Sequence, residues 1–132
     1  MKYNNDFKHD LEVGQTFENQ LGELMNKKIE VKRDFRCLET KNVFVEYESR
    51  GKSSGIATSE ADYYCFWFSD VHCVIIKTDK LKEHCRKWIG TKRDVVGGDN
   101  DTSKGILLPI TIFLKIFIKN SCLLNNFIYI CI

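Results

Sequence analysis

Proline is nearly absent from this chain, with Pro109 the single example among 132 residues. Alongside plentiful Asn and Lys, this composition fits an AT-rich genome better than the bias of a disordered segment. Charge of either sign is not in excess: 20 basic against 18 acidic residues leave a net charge of +2. Bulk charge therefore argues neither for nor against nucleic acid, and only local clustering can. Cys37, Cys65, Cys73, Cys85, Cys122 and Cys131 form no CxxC pair. His72-Cys73 and His84-Cys85 raise the question of zinc, but strand neighbours such as His72 and Cys73 point to opposite faces, which speaks against a shared ion. Met1 to Asp10 is polar and charged, so no apolar leader is expected, and free thiols in a reducing cytoplasm follow (that of a host cell if the chain is phage-encoded). Lys115, Lys119 and Asn120 interrupt the apolar stretch from Ile106 to Ile132, which speaks against a membrane span.

The length suits one domain. We expect it over residues 1–115, followed by an apolar tail, 116–132, of unassigned role. Residues 1 to 11 read as a loose arm. From Gly14 to Lys27 the pattern is helical, with Phe17, Leu21, Leu24 and Met25 as one apolar stripe and Glu18 on its rim.

Lys28-Ile-Glu-Val-Lys-Arg-Asp34 and Asn42-Val-Phe-Val-Glu-Tyr-Glu48 alternate as strands. The few residues between them suit a hairpin loop. If Asp34 stands opposite Glu46, then Lys32 stands opposite Glu48, and four ionisable groups share a face. A one-residue slip would separate them. Three carboxylates and an ammonium in one small area point to a divalent-metal site.

Further along, Ser49-Arg-Gly-Lys-Ser-Ser-Gly-Ile56 is a Gly- and Ser-rich loop. It could admit a phosphate or simply turn the chain, and it lacks the Walker A sequence. Ser59-Glu-Ala-Asp62 has the spacing of a capping box and predicts a short helix start. The aromatic run Tyr63 to Phe68 could stack on unpaired bases, although a core is the commoner use. A buried strand is expected over 71–77. Beyond it lies a helix capped by Thr78 or Asp79, with Leu81, Cys85, Trp88 and Ile89 inward and Gly90 at its end. Lys77, Lys80, Lys82, Arg86, Lys87, Lys92 and Arg93 form the one basic concentration, suited to phosphate contact or to a solvated face. Residues 95–105 read as a strand end and polar loop.

A glutamate-bearing helix, a strand ending in Asp and a following Glu-x-Glu resemble the PD-(D/E)XK phosphodiesterase superfamily. More narrowly, Gly14-Gln-Thr-Phe-Glu18, Ile29-Glu-Val-Lys-Arg-Asp34, Phe44-Val-Glu-Tyr-Glu-Ser49, Gly51-Lys-Ser-Ser-Gly-Ile56 and Ala61-Asp62 resemble small phage-encoded nucleases, including Holliday junction resolvase-like proteins. The likeness spans about residues 12 to 110. It implies an α/β (α+β) fold with a restriction-endonuclease-like core, a central mixed β-sheet flanked by helices. It also implies Asp34 and Glu46 as ligands of Mg²⁺ or Mn²⁺ and Glu18 as the helix acid. Glu48 departs from the usual lysine, a role open to Lys32 or Lys52. A competing alignment takes Glu30-Val-Lys32 as the Glu-x-Lys, with Asp10 before it. Arg50, Lys52, Lys80 and Lys87 would hold the DNA backbone. The expected activity is metal-dependent cleavage of DNA, with branched DNA favouring a homodimer. The alternative is a non-catalytic nucleic-acid-binding or regulatory protein keeping the fold, and the plainest reading is a solvated charged face.

Overall fold

The computed structural model describes residues 7–113 and 127–131. They form a mixed α/β structure of two four-stranded sheets and three α-helices.

Helix α1 (Phe7–Met25) starts well before Gly14, so the arm expected over residues 1 to 11 is helical from Phe7. Its stripe is only partly used. Leu24 is buried, whereas Leu21 and Met25 stay more than half exposed.

Strand β1 (Ile29–Arg33) does not form the expected hairpin with β2 (Asn42–Ser49). It pairs in parallel with β4 (Tyr63–Trp67), while β2 pairs with the two-residue β3 (Lys52–Ser53) and with β7 (Ser103–Pro109). The connection explains the correction. Asp34 Oδ1 accepts the Arg36 N–H at 2.9 Å, and the chain coils into α2 (Cys37–Thr40) instead of reversing. Lys41 then leaves α2 in the left-handed region at φ 60°, and β2 enters the other sheet. An Asx turn competes directly with a hairpin for these backbone groups.

The first sheet runs β1-β4-β5-β8, with β5 (His72–Lys77) and β8 (Phe127–Cys131) completing it; the second runs β3-β2-β7-β6, with β6 (Asp94–Gly97) at its edge. The single central sheet is thus replaced by two, of which only the first is mixed. Part of the apolar tail, β8, is an edge strand of that sheet.

The core lies between the sheets. Tyr64, Phe66, Phe68, Val74 and Ile76 from the first meet Val43, Val45, Ile106 and Leu108 from the second. Each such aliphatic side chain contributes about 1.5–3 kcal/mol on burial. The aromatic run is therefore core on alternate residues. Cys65 lies on the opposite face, with Cys73, Ile75 and Leu24 and with Tyr63 and Trp67 against them.

Helix α3 (Thr78–Arg86) buries Leu81 and Cys85 as expected. Its N-cap is Lys77 with no side-chain cap, not Thr78 or Asp79, and Ile89 is exposed. The helix predicted at Ser59 is absent. Ser59 Oγ accepts the Ala61 N–H and Asp62 accepts the Lys28 N–H at 2.9 Å, so both capping candidates serve a loop. A 3-10 turn, Gly55–Ala57, precedes it. No helix among the described residues is long and apolar enough to cross a membrane.

Candidate functional site

Strand alternation places Glu30 and Lys32 on the face of β1 shared with Tyr64 and Phe66, which are their register partners in β4. Lys32 thereby lines a pocket of about 230 Å³ with Phe44, Val45, Glu46, Gly55, Ile56, Tyr64 and Phe66. Lys32 and Glu46 come together here across the gap between sheets, not across a hairpin. The Lys32 ammonium also lies 2.6 Å from Glu30 Oε1.

Glu46 is the best-held acid of the site. Ser54 Oγ donates to Oε1 and Ser103 Oγ to Oε2, each at 2.7 Å. These bonds favour the carboxylate and hold its pKa below the ordinary glutamate value, with the Lys32 charge adding in the same direction against partial burial. Ser54 is placed by the loop: its N–H bonds the Tyr47 carbonyl, and Gly55 adopts φ +51° directly against the Glu46 carbonyl oxygen. Only glycine accommodates both that conformation and that approach. Ser103 reaches from β7, beyond the reach of local pattern reading; the pairing of β2 with β7 is what brings it to Glu46.

Glu48 does not join them. Glu46 pairs with Gly105 and Glu48 with the next residue, Lys104, leaving Tyr47 as a bulge. Successive residues of β7 face opposite sides, so Glu46 and Glu48 do too. Glu48 Oε1 instead pairs with Lys104 Nζ at 3.0 Å. Tyr47 donates to Asp94 Oδ1 at 2.7 Å, and that bond, with burial and nearby negative charge, pushes its phenol pKa up to about 12.

The remaining expected residues are dispersed. Glu18 is exposed on α1. Asp34 follows Lys32 by two residues, with Oδ1 engaged in its turn. Among the described residues no three His, Cys, Asp or Glu side chains converge as a metal-ligand set, so the predicted carboxylate cluster is not assembled.

Of the expected DNA contacts, Arg50 (φ 50°) and Gly51 (φ 74°) form the tight turn between β2 and β3, and Lys52 is exposed beside them. Two successive positive φ values mark the hairpin turn that matches strand twist, so this loop is foremost a turn. Lys80 pairs with Glu83 at 2.9 Å, while Lys87 is exposed at the end of α3. Helix α3 itself packs against the Gly55–Ala57 turn that flanks Glu46. Arg93 is structural: it donates to Asn42 Oδ1 and to the Leu107 carbonyl and lies over the Trp88 ring.

Comparison with protein-family models, curated proteins and solved structures gives no match.

Proposed function

We propose that this chain is a metal-dependent phosphodiesterase acting on DNA, with Glu46 and Lys32 as its central pair. The observation that carries the reading is their convergence on one pocket, with Glu46 held ionised by Ser54 and Ser103. The resemblance to PD-(D/E)XK nucleases supplies the reaction class.

A carboxylate of this kind suits Mg²⁺ or Mn²⁺, since Mg²⁺ commonly takes one or two carboxylates and completes its shell with water and substrate phosphate. Glu46 would hold it, whereas Asp34, the second acid that the resemblance implies, does not line this pocket. When bound, such an ion lowers the pKa of water and neutralises charge on the scissile phosphate. The chain's own groups do the rest. Ser54 and Ser103 fix the Glu46 oxygens, and Lys32 presents an ammonium to the same pocket. That ammonium, which lines the pocket with Glu46 where Lys52 does not, is the candidate we favour for the lysine missing at position 48. Glu48, tied to Lys104 on the other face, has no part in this chemistry. The exposed Arg50, Lys52 and Lys87 would contact the DNA backbone without reading sequence.

A second reading, a nucleic-acid-binding protein without catalysis, is favoured by one observation: among the described residues the acids do not converge in threes. Incubation of the purified chain with supercoiled plasmid separates the two. Nicking with Mg²⁺ or Mn²⁺ that EDTA abolishes supports the enzyme. Salt-sensitive binding with no nicking in either metal supports the second reading.

A further inference from the structure

We infer that two copies of this chain associate through the open edge of β1, in antiparallel register about Val31. The proposal does not depend on the phosphodiesterase reading.

Strand β1 ends its sheet, and among the described residues β4 is its only strand neighbour. The Tyr63 N–H bonds the Lys28 carbonyl, which sets the parity of the ladder. Even residues of β1 direct their N–H and C=O groups to β4, so Ile29, Val31 and Arg33 direct theirs to the open edge. That edge also carries exposed apolar side chains, with Val31 59% and Ile29 36% exposed. Edges of soluble sheets are usually blunted by proline, bulges, charged side chains or a cover; β1 has neither proline nor bulge, and its charges are of both signs, so they repel a second copy only in some registers.

The strand reads Ile-Glu-Val-Lys-Arg, and its charges are complementary to themselves in one register. With the two-fold axis at Val31, the two Val31 residues form a hydrogen-bonded pair, and Ile29 of each copy bonds Arg33 of the other. Glu30 then stands opposite Lys32 of the second copy, twice, at the non-hydrogen-bonded positions where side chains are closest. Moving the axis to Glu30 sets Glu30 against Glu30 and Lys28 against Lys32. Moving it to Lys32 sets Lys32 against Lys32 and Glu30 against Asp34. An axis between residues would pair open-edge groups with groups already bonded to β4. An axis at Ile29 or Arg33 also keeps parity and opposes unlike charges (Glu30 with Lys28, Lys32 with Asp34), but it carries most of the pairing beyond the strand. The axis at Val31 is the one that pairs all five strand residues with unlike charges opposed, and the intrachain Lys32–Glu30 pair would be exchanged for two interchain ones.

Sedimentation analysis of the full chain tests this. The wild type is expected to be a dimer in the micromolar range. Glu30→Lys and Lys32→Glu each turn both cross-strand pairs repulsive, and each alone should weaken the dimer roughly tenfold to a hundredfold. Mixing the two variants restores every pair, so they should form a heterodimer with one another. Circular dichroism reports whether each variant keeps its fold. Independently, Val31→Cys should give a disulfide-linked dimer under mild oxidation where the wild type does not, because hydrogen-bonded pairs lie about 5.5 Å apart at Cα, within disulfide reach. A monomeric wild type, dimers that survive both charge reversals, or variants that do not combine on mixing would each overturn the proposal.

Discussion

Glu46 and Glu48 stand two residues apart on β2 yet point to opposite faces of the sheet, because Tyr47 is the extra residue of a β-bulge. The consequence is chemical. Glu46 takes two serine hydroxyls and faces Lys32 in a pocket, whereas Glu48 takes Lys104. Bulges commonly re-aim side chains beside functional sites, and this one sorts two similar acids into different roles.

The serine bonds make a pH prediction. Glu46 has its folded-state pKa depressed, so its contribution to stability is present above the unfolded glutamate value and is lost as pH falls through the lower folded value. Ser103→Ala removes the larger cause of the depression, and a hydrogen bond to a charged group is worth about 1.5 kcal/mol or more. Urea unfolding of the wild type and Ser103→Ala should therefore differ by about that much near neutral pH, with the gap closing in acid.

Gly55 offers a steric test. A Cβ there would collide with the Glu46 carbonyl oxygen, in a conformation at φ +51° that L residues rarely adopt. Gly55→Ala should cost roughly 2 kcal/mol or more, through strain and displacement of backbone at the site. Gly51→Ala, where nothing lies within 4 Å, pays only the left-handed φ of +74°. Thermal unfolding of both variants measures the difference.

Tyr47 gives the alkaline counterpart. Its phenol is raised from about 10 to about 12, so the stability that it contributes is complete below the unfolded value and is lost as pH rises through the folded one. In Tyr47→Phe the loss of stability between those pH values should shrink. The variant should cost about 1.5 kcal/mol or more at neutral pH through the lost bond to the Asp94 carboxylate. Denaturation followed across alkaline pH checks both.

Buried thiols yield a fourth prediction. Cys37, Cys65, Cys73 and Cys85 are free and buried, and burial pushes the Cys65 and Cys85 thiols up to about 12. Thiolate is the reactive form, so alkylation of these four should be slow in the native protein and rapid in denaturant, as mass spectrometry of modified peptides would show.

Much of this was legible in the chain, and the exceptions share a cause. The aromatic run announced a core, and Leu81 with Cys85 announced the buried face of α3, because period and burial are local properties. The partner of β1 was not legible. Alternation identifies a strand and is silent on which strand it joins, and the few residues after Asp34 suit a hairpin as well as the Asx turn and α2 that they form. The bulge was hidden for a related reason, since it exists only in the register against β7. Ser103, on β7, came to Glu46 by the same pairing. Lys32, expected opposite Glu48 across a hairpin, instead lines a pocket with Glu46 between the sheets.

The most direct test of the central claim compares two conservative variants in the plasmid assay. Glu46→Gln keeps the size of the side chain and removes its charge, and Glu48→Gln does the same on the opposite face. With Mg²⁺ or Mn²⁺ present, Glu46→Gln should lose nicking while Glu48→Gln retains it, its exchange touching only a partly exposed ion pair worth about 1 kcal/mol or less. Nicking that survives Glu46→Gln, or that disappears with Glu48→Gln in a protein still folded, would contradict the assignment of the site.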